Sequence, residues 1–179
     1  MGMSDHQTNI GPGDDEVLWR RLIDTYKASL EASATFLRDA RAPLEIVRRA
    51  LRGSRTSGVE VMAALGLLHR MKPEDRIGVF NELLIGCLSQ KFGHMARSLV
   101  LSLPRDWLVA NVEAAAQPLT RNADYIDYMM LLRLYNQIDG SIARKLAQQA
   151  TMSADDDIRE VGEGFLRGDP WWRSEAALR

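Results

Sequence analysis

The chain has a single cysteine, Cys87, among its 179 residues. An internal disulfide is therefore excluded, and a cysteine-based metal site would need other ligands. Cys87 stands among Leu83, Leu84, Ile85 and Leu88, the setting of a buried, inert thiol in a reducing cytoplasm. No run of 18 apolar residues occurs, so no membrane-spanning helix is expected and no membrane partner is implied. The first 16 residues are polar and acidic and carry no secretory signal. Charge of one sign is also missing: 23 basic residues face 24 acidic ones. Bulk attraction to nucleic acid or anionic lipid does not follow from that balance. Hairpin signals are absent too, with no Asn-Gly or Asp-Gly pair between alternating runs.

Signatures of chemistry are equally sparse. There is no glycine-rich phosphate loop, no His-Glu-x-x-His pair and no Gly-x-Ser-x-Gly elbow. The three histidines, His6, His69 and His94, fall in a tail and at two separate helix ends, where capping or packing accounts for them. No cofactor is implied, and a non-catalytic role is the expectation.

What the chain does have is apolar spacing of the helical kind. Hydrophobic residues make up 46% of the sequence, and a chain of this length buries roughly 70% of its unfolded surface. The spacing predicts an all-α fold. Residues 1–13 read as a disordered tail. Residues 14–56 hold two helices. The first carries Leu18, Leu22, Tyr26, Leu30, Phe36 and Leu37; the second, after Pro43, carries Leu44, Val47 and Leu51. Helices are then predicted near 58–71, 73–88, 92–103, 105–119, 123–138, 140–150 and 155–166. Alternate helices start near 58, 92, 123 and 155, steps of about 34, 31 and 32 residues. A step of this size, built from two helices, marks an array of stacked helix pairs.

The run DDDIREVGEGFL at 155–166 admits two explanations. A calcium loop needs oxygen ligands at positions 1, 3 and 5, glycine at 6 and glutamate at 12. Counting from Asp155, positions 5, 6 and 12 are Arg159, Glu160 and Leu166, so that pattern fails. A helix start fits: acids sit at the positive end of the dipole, and Ile158, Val161, Phe165 and Leu166 share one face. With the residues before it, SADDDIREVGEGFL resembles the turn and first helix of a HEAT repeat, in which Asp157, Ile158 and Arg159 match the family's Asp–aliphatic–Arg pattern. IARKLAQQA, at 142–150, resembles the second helix of such a unit. The resemblance covers about 140–166 well and reaches back to 58 more loosely. It implies an armadillo-like solenoid over 57–167, capped by residues 14–56 and followed by an end segment at 168–179. It also implies a surface lined by second helices, and binding rather than chemistry.

Three groups stand out as partner-binding candidates. The first is the arginine cluster Arg41, Arg48, Arg49, Arg52 and Arg55; with Arg38 it faces only Asp39 and Glu45. It would take an acidic partner or phosphates. The second is Arg144, Lys145 and Gln148, outward positions on the second helix of the best-matching unit. The third is the pair Trp171 and Trp172, which either plug the end of the stack or anchor a partner. Asp106 and Trp107, within RDW, match the carboxylate and aromatic of HEAT-like DNA glycosylases, but a first-turn Asp and a packing Trp explain them as well. The leading expectation is a protein-binding scaffold, the alternative a nucleic-acid binder using the arginine cluster. Self-assembly through the two ends of the array is a further partner class.

Overall fold

The computed structural model describes residues 12–52 and 58–169. Arg55, Trp171, Trp172 and residues 1–11 of the expected tail at 1–13 lie outside the described residues, while Pro12 and Gly13 already belong to a helix. Every regular element among those described is helical. The chain divides into two units, with the boundary between Pro43 and Leu44.

The first unit is built on one long helix, α1 (Pro12–Asp39). Asp14 and Asp15 occupy its first turn and Arg38 its last, each sign placed where the helix dipole favours it. The helix ends ahead of Pro43, whose ring disfavours helical geometry in the residue before it. Leu18, Leu22 and Tyr26, half of the stripe expected from the sequence, are exposed.

The second unit opens with α2 (Pro43–Arg52) and continues with α3 (Gly58–Leu68), α4 (Pro73–Arg76), α5 (Phe80–Cys87), α6 (Gly93–Leu101) and α7 (Arg105–Thr120). It closes with α8 (Tyr125–Ile138), α9 (Gly140–Ala150) and α10 (Asp156–Arg167). Val47 of α2 is buried in the same core as Leu65, Leu84, Leu99, Leu108, Val112, Leu132 and Leu134. That burial is why α2 belongs to this unit. Packing follows two alternating series. Helix α3 contacts α6, α6 contacts α8, and α8 contacts α10, while α5 contacts α7. Members of the two series interlock, α5 with α6, α7 with α8, and α9 with both α8 and α10.

Polar caps fix the last three helices. Asp124 accepts the backbone N–H of Asp127, and Asp139 that of Ser141. Asp155 accepts those of Asp157 and Ile158. The aspartate run is thus a cap followed by a first turn, as its sequence predicts. At the other end of α10, Gly168 adopts a left-handed φ of 76°. Its neighbour Asp169 donates to the Gly164 carbonyl, so a residue without Cβ closes the helix.

One predicted helix is interrupted. The segment 73–88 tightens to a 3-10 turn at Ile77–Val79 between α4 and α5. Gly78 and Val79 are weak helix formers, and the Gly78 carbonyl accepts Arg48 Nη2 at 2.5 Å.

Two arginines tie one helix pair to the next. Arg76 on α4, only 6% exposed, donates to the Met71 carbonyl at 2.7 Å, to the His69 carbonyl at 3.3 Å and to Ser102 Oγ after α6. Arg105 on α7 donates to the Ile138 carbonyl at 3.1 Å and to Asp139 at 3.0 Å, in the turn between α8 and α9. Carbonyls left over at helix C-termini thereby find guanidinium donors.

Candidate binding cleft on α5, α7 and α9

A cleft of about 500 Å³ opens beside α2, α5 and α7. Arg48 and Arg52 enter from α2, Asn81 and Glu82 from α5, and Trp107, Asn111 and Ala114 from α7. A second cleft of about 280 Å³ is lined by Glu113, Ala114 and Gln117 of α7, Tyr135 of α8, and Lys145, Leu146 and Gln149 of α9. Ala114 lines both, so the two adjoin along α7.

Glu82 organises the first cleft. It sits in the first turn of α5, just ahead of Leu83, Leu84 and Ile85, and is only 4% exposed. Burying a carboxylate without a partner is costly. Arg52 answers it, placing Nε at 2.7 Å and Nη2 at 2.5 Å from the same oxygen, Oε1. Arg48 stands behind, its Nε 3.7 Å from that oxygen. The remaining donors of Arg48 go to Glu45 and to the Gly78 carbonyl. Arg48 is thus engaged on three sides, whereas the Arg52 side chain is 64% exposed.

The opposite wall is aromatic. Trp107 meets Phe80 edge-on, with ring centroids 4.9 Å apart and planes at 83°, a favoured aromatic geometry. Asn111 Nδ2 donates to the Trp107 carbonyl at 2.7 Å. Trp107 therefore packs, as its sequence position predicts, and lines the cleft as well. Asp106 is exposed in the first turn of α7 and lines neither cleft.

The second cleft is electrically neutral in its lining. Lys145 Nζ lies 2.9 Å from Glu113 Oε1, tying α9 to α7. The Tyr135 hydroxyl donates to the Val112 carbonyl at 3.2 Å. Burial, reinforced by Glu113 and Tyr128, raises its pKa above the ordinary tyrosine value.

Of the arginine cluster, Arg48 and Arg52 come together at Glu82, while Arg41 and Arg49 are exposed. Of the α9 candidates, Arg144, Lys145 and Gln148 are all exposed, but only Lys145 lines a cleft. Its companion there is Gln149, a neighbour of the expected Gln148. Sequence reasoning missed Glu82, because a glutamate within NELLIG reads as an ordinary outward residue. Cys87 is 1% exposed, and burial pushes its thiol pKa up to about 12. Among the described residues no helix is long and apolar enough to cross a membrane. Comparison with known proteins finds no matching family model, no similar curated protein and no similar solved structure.

Proposed function

We propose that residues 57–167 form a HEAT-like array of helix pairs that serves as a non-catalytic protein-binding scaffold. The packing order supports the array: α3, α6, α8 and α10 make one series, and α5, α7 and α9 the other. The Arg76 and Arg105 ties recur at the junctions between successive pairs, about one helix-pair step apart.

The observation that carries the binding role is the pair of adjoining clefts, which share Ala114 and run across the second helices of three successive pairs. A partner segment lying across α5, α7 and α9 would contact both. The carboxylates in these walls, Glu82 and Glu113, are each held in an ion pair. Neither is placed as a poised general base.

Site-specific photo-crosslinking in cells tests the reading. A photoreactive residue at Gln117, within the second cleft, should yield discrete adducts with a partner protein. The same residue at Glu160, exposed on α10 and outside both clefts, should not. Equal labelling from both positions, or none from Gln117, would remove the clefts from the function.

A further inference from the structure

We infer that the cleft at Arg52 and Trp107 recognises a carboxylate side chain of an extended partner segment, so that the protein selects partners acidic at that point. This rests on the protein-binding reading above and adds the chemistry of the partner.

Charge is the first ground. The lining of this cleft carries two guanidiniums, Arg48 and Arg52, and one carboxylate, Glu82, while Glu45 beside it takes up Arg48. Arg48 is engaged by Glu45, the Gly78 carbonyl and Glu82. Arg52 gives only its Nε–Nη2 edge to Glu82, both donors meeting a single oxygen. A planar guanidinium can serve two anions on different edges. The guanidinium edge left for a partner therefore belongs to the most exposed arginine of the cleft, already oriented by a buried acid. One added carboxylate can meet that edge.

The surroundings select a peptide over a polyanion. Trp107, held edge-on by Phe80, offers a fixed apolar wall for the side chain beside the acid. Farther along α7 comes Ala114, four residues before Pro118. Proline has no N–H, so the Ala114 carbonyl lacks its usual helical donor. That carbonyl belongs to the residue shared by both clefts, and a peptide N–H is a donor that can meet it. Beyond it, Glu113 and Lys145 cancel each other. A nucleic-acid strand with a phosphate at each step would meet one available cation, then an acceptor and a carboxylate. Nucleic-acid binders need a succession of cations.

The test is selection of random twelve-residue peptides against the full chain. Asp or Glu should be enriched at one position, next to an apolar residue. In a synthetic peptide of that sequence, changing the single acid to its amide should weaken binding about tenfold, the scale of one charge-assisted hydrogen bond. This comparison uses the native protein, so it does not depend on any variant folding. On the native protein the acidic peptide should also shift the Arg52 Nε–H resonance, and the amide peptide should not. Arg52→Gln, with its circular dichroism unchanged, should abolish the difference between the two peptides. Peptides recovered without acidic enrichment, or an Arg52 resonance unmoved by the acidic peptide, would overturn this inference and leave the scaffold reading standing. Recovery of no peptide would overturn both. A single-stranded DNA twelve-mer that binds more tightly than the selected peptide, with affinity falling steeply in salt, would replace the acidic segment with nucleic acid.

Discussion

Arg52 Nε lies 2.7 Å from Glu82 Oε1, joining α2 to α5 across 30 positions of chain. The pair is asymmetric: the guanidinium is 64% exposed and the carboxylate 4%. Removing Arg52 leaves a buried charge with only the more distant Arg48, whereas removing Glu82 leaves an exposed cation to water. Arg52→Met should therefore cost about 1–2 kcal/mol, discounted from a fully buried pair because one partner is solvated. Adding Glu82→Leu to it should recover part of that loss. Urea midpoints of the two single variants and the double variant measure the coupling, and strictly additive losses would show that the contact contributes nothing.

Gly162 and Gly66 should respond to alanine with opposite signs. A Cβ on Gly162 would lie 2.6 Å from the Ala147 carbonyl oxygen and 2.8 Å from the Ala150 Cβ. Helix propensity favours alanine by about 1 kcal/mol, but the collision is with backbone and cannot relax locally. Overpacking of about 1–3 kcal/mol dominates, so Gly162→Ala should destabilise. At Gly66 nothing lies within 4 Å, and Gly66→Ala should raise stability by about 0.5–1 kcal/mol. Thermal denaturation of both variants decides the matter; a stabilised Gly162→Ala would contradict the packing of α10 on α9.

Arg76→Met should cost about 2–4 kcal/mol. The change leaves the His69 and Met71 carbonyls without a side-chain donor and takes a charge-assisted bond from Ser102. Arg105→Met should cost about 1 kcal/mol, because the Arg105 side chain is 71% exposed. Equal losses in denaturant titrations would contradict this ranking.

The Cys87 thiol sets an alkaline limit. Its pKa in the folded protein, about 12, exceeds the ordinary thiol value of 9.0. Below pH 9 both states keep the proton and the contribution is whole. Between pH 9 and 12 only the unfolded chain ionises, so stability falls by about 1.4 kcal/mol per pH unit from this group. Tyr135, whose pKa is also raised, joins only above the ordinary tyrosine range. The slope between pH 9 and 10 should therefore flatten in Cys87→Ala. At pH 8 a thiol-specific disulfide reagent should react with the native protein far more slowly than with free cysteine, because the thiol is both buried and protonated. A slope unchanged in Cys87→Ala would mean that the thiol ionises alike in both states.

The helices were largely legible in the sequence because their signals are local. Asp155 caps, Ile158 and Val161 share a buried face, and Gly168 closes, all within fourteen residues. The turn at Ile77–Val79 was not legible, because its geometry involves Arg48, an arginine on another helix. The cleft was legible only in parts. Arg48, Arg52, Trp107 and Lys145 drew notice by type, but Glu82 gains its meaning from Arg52, and no local pattern links them. Gln149, which lines the second cleft, stands one residue from Gln148, a rotation of about 100° on a helix.

Because Arg76 reaches Ser102, and Arg105 reaches the bend at Asp139, no helix pair can peel away without stripping its neighbour's reversal of a donor. Injury at one junction is felt at the next along the row. Hydrogen exchange across residues 73–150 should accordingly register a shared opening event, like a zip that parts along its whole length, instead of a staircase of independent ones.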